Sequence, residues 1–116
     1  MVACDASQGE KLREMLQGAG YQVAVTSEAR RGLNFELADI KLAVLFSSRA
    51  HWRMKYVSEV CYALRSAAPR LPLMVVGPND IDAKVRLFEL GADDYVVDPF
   101  DQAEFVARIK SLAHRN

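Results

Sequence analysis

The chain has 116 residues, of which 51% are hydrophobic, and 15 basic residues balance 15 acidic ones to give a formal net charge of +0. This length and apolar content suit one globular domain spanning 1–116. The balanced charge argues against a protein that coats nucleic acid, so we expect no direct nucleic-acid contact by this domain. No apolar run approaches the about 20 residues that cross a bilayer, and Met1 does not open a signal-peptide pattern. We therefore expect a cytoplasmic protein without membrane contact.

The two cysteines, Cys4 and Cys61, lack the Cys-x-x-Cys or Cys/His spacing of a zinc site or a disulfide framework. We expect buried free thiols, with no metal and no cofactor. The sequence also contains no nucleophile paired with a base and no glycine-rich phosphate loop. An enzyme is therefore not expected.

Short apolar runs alternate with helical patterns in the first half of the chain. The runs 1–4, 21–26 and 42–46 predict strands, and the continuous apolar run 42–46 is typical of a central strand covered on both faces. The capping-box pattern from Ser7 to Glu10 predicts the start of a first helix. Ser27 is a candidate cap for a second helix. The apolar positions predicted for these two helices are Leu12, Met15 and Leu16, then Ala29, Leu33 and Leu37.

The same alternation continues in the second half, where 71–76 and 95–97 predict two further strands. A third helix is predicted after Arg53, a fourth is capped by Asp80 and a fifth is capped by Asp101. The apolar positions expected to face the core are Val57, Val60, Cys61 and Leu64, then Val85, Phe88 and Leu90, then Phe105, Val106, Ile109 and Leu112. Five strands alternating with five helices predict an α/β doubly wound parallel sheet, in which ligands bind at the carboxyl ends of the strands.

The end of the chain reads Gly91-Ala92-Asp93-Asp94-Tyr95, followed by Asp98-Pro99-Phe100 and by Glu104, Ala107, Arg108 and Ile109. This run resembles the ending of the response-regulator receiver domains of two-component (phosphorelay) signalling. The resemblance covers essentially the whole chain. It implies a flavodoxin-like (CheY-like) five-stranded parallel sheet of order 2-1-3-4-5 with five helices.

The positions that carry phosphorylation in this family hold other residues here. The magnesium-binding acidic pair aligns with Ala3 and Cys4, and a shift of one residue recovers only Asp5. The acceptor aspartate aligns with Ser47. The switch hydroxyl aligns with Gly77 and the conserved lysine with Asp98, whose charge is wrong for pairing with phosphate. The resemblance therefore implies an atypical pseudo-receiver without magnesium or aspartyl phosphate. The family's cis Lys-Pro bond implies a cis peptide between Asp98 and Pro99.

The residues that form dimers in receivers of the OmpR/PhoB class have the expected charges. That class dimerises through its fourth helix, fifth strand and fifth helix. The matching ion pairs are Lys84 with Glu104, Asp94 with Arg108 and Asp93 with Arg115, and Tyr95 holds the aromatic position as a fixed interface residue. An isologous contact requires such self-complementary charge. The alternative is that these are ordinary surface pairs worth about 0 to 1 kcal/mol each.

A basic cluster follows the third predicted strand. Arg49, His51 and Arg53 surround Trp52 at the edge where parallel sheets bind ligands, which suggests a site for a small anion. The alternative is a solvated helix start with one anchoring aromatic residue.

Three functions remain open from the sequence. The first is a phosphorylation-independent dimerisation module that regulates transcription through an output domain beyond Asn116, of the winged-helix DNA-binding type. The second is a protein-protein adaptor, like the receiver-like domains of signalling proteins such as diguanylate cyclases. The third is a sensor of a small anionic ligand.

Overall fold

The structure is a computed structural model that describes residues 2–3, 6–21, 25–26, 41–46 and 53–114. Its strands are β1 Val2–Ala3, β2 Val25–Thr26, β3 Ala43–Phe46, β4 Leu73–Gly77 and β5 Asp94–Val97. Its helices are α1 Ala6–Gly18, α2 Met54–Ala67, α3 Ile81–Glu89 and α4 Gln102–Ala113. The helix predicted after Ser27 lies outside the described residues, so α2, α3 and α4 correspond to the third, fourth and fifth predicted helices.

The strands form one parallel sheet in the order β2-β1-β3-β4-β5. Phe46 pairs with Val76, and Gly77 pairs with Val97, so the carboxyl ends of β3, β4 and β5 lie along one edge. The predicted α/β class, the parallel sheet and the strand order are confirmed. This edge is where the sequence places the candidate phosphorylation site.

Hydrophobic clusters cover both faces of the sheet. Alternate residues of a strand point to opposite faces, and β3 follows this rule: Ala43 and Leu45 belong to one cluster, whereas Val44 and Phe46 belong to the other. The first cluster includes the buried stripe of α2. The second includes residues of α1 and α4. The apolar run predicted as a central strand is thus buried on both sides, as expected for a parallel sheet.

The buried stripe of α2 is the predicted one, formed by Val57, Val60, Cys61 and Leu64. Asp80 and Asp101 cap α3 and α4 as predicted: Asp80 accepts hydrogen bonds from the amides of Asp82 and Ala83, and Asp101 from that of Glu104. In α4, Phe105, Ile109 and Leu112 are buried and Val106 is half-buried.

The predicted core face of α3 is wrong. Ala83 and Leu87 are its buried residues, whereas Val85 and Phe88 are exposed and Leu90 lies half-buried beyond the helix end. The helix carries apolar side chains on two sides, and the smaller stripe that includes alanine packs on the sheet. Hydrophobic periodicity alone does not distinguish two such stripes.

Several predicted boundaries also need correction. The first helix begins at Ala6, so Ser7 lies within it and is not its N-cap. Tyr21 precedes β2, and β4 begins at Leu73 rather than at Leu71. Pro72 has no amide hydrogen for a strand ladder, but its carbonyl accepts a hydrogen bond from Ala43 at 2.9 Å. In the part of the chain that the structure describes, no helix has both the length and the apolar content required to span a membrane.

Candidate functional site

Three residues of the predicted phosphorylation site are described at the carboxyl edge of the sheet. Gly77 ends β4, and its carbonyl accepts a hydrogen bond from the Asp98 amide at 2.8 Å. The peptide bond between Asp98 and Pro99 is cis, as predicted. Ala3 ends β1. The other predicted positions, Cys4, Asp5 and Ser47, lie outside the described residues.

The Asp98 side chain is half-buried, and among the described residues its carboxylate has neither a cation within ion-pair distance nor a hydrogen-bond donor. Within the same residues, no group of three or more His, Cys, Asp or Glu side chains could hold a metal ion. The described part of this edge therefore offers one carboxylate and the backbone of a glycine. That is a poor ligand set for magnesium, which prefers several oxygen ligands in octahedral geometry.

Of the predicted anion-site residues, Arg53 is described and Arg49 and His51 are not. Arg53 precedes α2 at its N-cap position, where its side chain makes no capping hydrogen bond, and it is exposed. The structure therefore does not test whether the three basic residues come together.

The predicted interface residues Asp94 and Arg108 meet within one chain. Nη1 of Arg108 lies 3.2 Å from Oδ2 of Asp94, and Nε of Arg108 lies 3.1 Å from Oε1 of Glu104. The hydrogen bonds that Arg108 donates, first to Asp94 and then to Glu104, raise the pKa of Arg108 above its ordinary value. Arg108 and Glu104 are exposed, and Asp94 is half-buried. The cluster thus joins the start of β5 to the outer side of α4.

Lys84 contacts an aromatic ring rather than its predicted partner. Its ammonium nitrogen lies 5.7 Å from the centroid of the Tyr95 ring, a cation-π distance, while Glu104 pairs with Arg108. No Lys84–Glu104 ion pair forms within the chain. The predicted pair between these residues across a dimer stays a prediction.

Tyr95 is fixed between β5 and the loop that follows β4. Its ring is buried, with 6% of its surface exposed, and its hydroxyl donates a hydrogen bond to the Pro78 carbonyl at 2.6 Å. Burial raises the pKa of Tyr95 to about 12, and the negative charge of Asp80 contributes to the same shift. Its predicted role at an interface stays a prediction. Within the chain, its burial and its hydrogen bond to the Pro78 carbonyl hold it in place.

Arg65, which the sequence did not single out, holds three segments together. Its Nη1 donates to the carbonyls of Pro69 and Leu71 at 2.7 and 2.8 Å, and its Nη2 donates to the Gly91 carbonyl at 2.6 Å. The end of α2, the segment entering β4 and the turn after α3 are therefore joined by one guanidinium group. Bonds to carbonyls far along the chain leave no periodic signal in a sequence.

The Arg65 cluster also includes Asp93, a predicted interface residue. Oδ2 of Asp93 lies 3.1 Å from Nη2 of Arg65 and accepts a second hydrogen bond from the Leu73 amide at 2.8 Å. The carboxylate thereby satisfies the first amide of β4. The predicted partner of Asp93, Arg115, lies outside the described residues. Asp93 thus has a structural role before any contact with another molecule.

An exposed apolar stripe runs along α3. Ile81, Val85 and Phe88 are 69%, 49% and 47% exposed. They are spaced i, i+4 and i+7, so they lie on one side of the helix. Lys84, at i+3 from Ile81 and i−4 from Phe88, shares that side. We call the surface formed by Ile81, Val85, Phe88, Lys84 and the Arg108 cluster the α3-β5-α4 face.

Comparison with known proteins agrees with the predicted family, although no protein-family model matches the chain. The chain is 33% identical over 116 residues to the response regulator MprA of Mycolicibacterium vanbaalenii. It is 30% identical over 118 residues to the cell cycle transcriptional regulator CtrA of Caulobacter vibrioides. The alignments cover 99% and 100% of this chain, but the chain spans only about half the length of these relatives.

Solved structures provide the corresponding fold. The non-phosphorylated receiver domain of HemR from Leptospira biflexa superposes with a TM-score of 0.81 at 19% identity, over 99% of this chain and 94% of that one. The chain has the fold of a receiver domain. Its sequence relatives are response regulators and transcriptional regulators rather than enzymes.

In this fold, the predicted interface residues are better described than the predicted phosphorylation site. Lys84, Asp94, Tyr95, Glu104 and Arg108 lie together on or beneath the α3-β5-α4 face, and their role in a dimer stays a prediction. Gly77 and Asp98 lie together at the carboxyl edge. The resemblance implied that Arg108 pairs across a dimer, and it did not indicate the pair that Arg108 makes within its own chain.

Proposed function

We propose that this chain is the receiver domain of a transcription regulator and acts by dimerising through the α3-β5-α4 face without aspartyl phosphate. The observation that carries the proposal is the exposed stripe of Ile81, Val85 and Phe88 beside the charged cluster of Arg108. An apolar stripe bordered by both charge signs is typical of a surface that meets another protein. In an isologous dimer the stripe packs against its own copy.

The apolar stripe supplies most of the affinity in this proposal, and the charges determine the register. The Arg108–Asp94 pair is partly exposed, with 44% and 22% of the two side chains accessible, so it contributes about 0 to 1 kcal/mol in the monomer. Replacing this ion pair within the monomer by an ion pair between two subunits therefore costs little free energy. Burial of apolar surface contributes about 25 cal/mol per Å². Because the stripe is exposed in the monomer, this free energy is gained only in the dimer.

In this proposal the domain dimerises without phosphorylation, because the site lacks the groups that phosphorylation requires. A glycine at position 77 has no hydroxyl to follow a phosphoryl group. The carboxylate of Asp98 repels one. The acceptor position predicted from the resemblance holds Ser47, and a serine hydroxyl cannot form an acyl phosphate. The dimer is accordingly present without a chemical trigger and positions an output domain of the winged-helix DNA-binding type beyond Asn116.

The dimer is tested by sedimentation of purified protein and of Phe88→Asp and Arg108→Glu variants. We expect a dimer for the parent at about 100 µM and a monomer for both variants, because each places an unpaired charge in the contact. The matched control is Tyr62→Asp, since Tyr62 is 66% exposed on α2, outside the face. A monomeric parent, or a dimer that survives Phe88→Asp, would show that this face is not the interface.

The phosphorylation-independent character is tested by incubation with acetyl phosphate and magnesium. We expect an unchanged intact mass, because the described carboxyl edge lacks a magnesium ligand set. A gain of one phosphoryl group, at Asp5, Asp98 or elsewhere, would refute this part of the proposal. The dimer could still be correct in that case, since the two experiments have separate readouts.

A further inference from the structure

A cavity opens at the carboxyl edge of the sheet, away from the α3-β5-α4 face. It has a volume of about 250 Å³ and lies between α1, the end of β3 and the connection from β5 to α4. Its apolar lining is formed by Leu12 and Phe46, which are buried, and by Met15 and Phe100, which are half-buried. Phe100 is itself held by ring contacts with Phe46 and Phe105, at centroid distances of 6.4 and 4.9 Å. The apolar part of the cavity is therefore preformed.

The cavity also has two opposite charges at its rim. Lys11 is contributed by α1 and Asp98 by the segment after β5. Within the described part of the chain the two are not paired with each other, and neither has another ion-pair partner. Gln102, the first residue of α4, adds an amide to the same rim. Neither charge therefore takes part in an ion pair among the described residues.

The size and charge of the cavity restrict its ligand. At about 30 Å³ per water molecule of liquid, the volume corresponds to roughly eight waters, below the about 300 Å³ at which drug-sized ligand sites begin. One cation and one carboxylate do not suit a polyphosphate, which needs several donors, nor a divalent cation, which needs several oxygen ligands. They suit a small molecule that carries one charge of each sign and an apolar body.

We propose that this cavity binds a free α-amino acid with an apolar side chain. The carboxylate of the ligand pairs with the Lys11 ammonium group, its ammonium group pairs with Asp98, and its side chain packs between Met15, Phe46 and Phe100. The aromatic rings also favour the ammonium group through their negative faces. The site is distinct from the dimer face, so this inference does not depend on the dimer.

The test is a titration of the isotopically labelled full chain, followed by amide chemical shifts, with L-phenylalanine as the probe. We expect saturable shifts of amides at Leu12, Phe46 and Phe100. Two analogues separate the charges: phenylacetate keeps the carboxylate and phenethylamine keeps the ammonium group. We expect each to bind at least about tenfold more weakly than L-phenylalanine, because each leaves one rim charge unpaired.

Variants identify the residues that hold the ligand. Asp98→Asn and Lys11→Gln are expected to weaken L-phenylalanine binding about tenfold each, while Asp98→Asn should not weaken phenylacetate binding, because that ligand makes no pair with Asp98. The controls Asp82→Asn and Lys110→Gln remove exposed charges outside the cavity and should have no effect. No saturable shift with L-phenylalanine, equal affinity for all three probes, or equal effects of the control variants would overturn the proposal.

Discussion

Replacing Gly91 by alanine should destabilise the fold through two separable costs. Gly91 has φ +108°, where an L residue is strained by about 1 to 2 kcal/mol. A Cβ atom there would also lie 2.9 Å from Nε and 3.1 Å from Cγ of Arg65, so the guanidinium group must move. Its hydrogen bonds to three carbonyls and to Asp93 are 2.6 to 3.1 Å long and partly exposed to water, so their disturbance adds about 1 to 2 kcal/mol. The expected total is about 3 kcal/mol.

Urea unfolding measures these two costs with a matched control and a double-mutant cycle. Gly20 has φ +97° with nothing within 4 Å of an added Cβ, so Gly20→Ala should cost only the backbone strain. Gly91→Ala should exceed it by about 1 to 2 kcal/mol, and this excess should vanish in an Arg65→Ala background. If Gly91→Ala costs the same with and without Arg65, the guanidinium group is not what the glycine accommodates, and the reasoning is refuted.

Two further predictions concern the loop between β4 and α3. The folded-state pKa of Tyr95 is about 12 against an ordinary value of 10.0, so the unfolded chain loses its phenolic proton first and stability should fall as pH rises through that window. The difference in unfolding free energy between parent and Tyr95→Phe, measured from pH 9 to pH 12, should shrink by about 2 kcal/mol; a constant difference would contradict the shift. Asp80→Ala removes the acceptor for two α3 amides and should cost about 1 kcal/mol, and it should also lower the pKa of Tyr95 in a spectrophotometric titration. An unchanged pKa of Tyr95 would show that Asp80 does not act on it.

The parts of the fold that local chemistry determines were predictable from the sequence. The stripe Val57, Val60, Cys61 and Leu64 repeats with the helical period, and Asp80 precedes its helix as a good N-cap. The apolar run that forms β3 indicates burial on both faces. Each of these signals lies within a few consecutive residues, where propensity and packing favour the same conformation.

Prediction from the sequence was wrong or incomplete where two structural arrangements fit the same local sequence pattern. The sequence of α3 offers two apolar stripes, and the tertiary structure selects Ala83 and Leu87 while leaving Val85 and Phe88 exposed. Charge complementarity identified Asp94 and Arg108 as partners but could not show that they meet in one chain. The Arg65 bonds connect residues up to 28 positions apart, which no local pattern reports.

The adjacent carboxylates of Asp93 and Asp94 have a consequence for how this domain could evolve. Asp93 binds Arg65 of α2, and Asp94 binds Arg108 of α4, so one dipeptide anchors helices from both layers to the start of β5. The two anchors use different atoms and different partners. In the proposed dimer, substitutions at Asp94 or Arg108 would therefore alter the contact surface while the Arg65 anchor is kept. Under that proposal, the dimer contact and the internal anchoring of the sheet depend on neighbouring but separate residues.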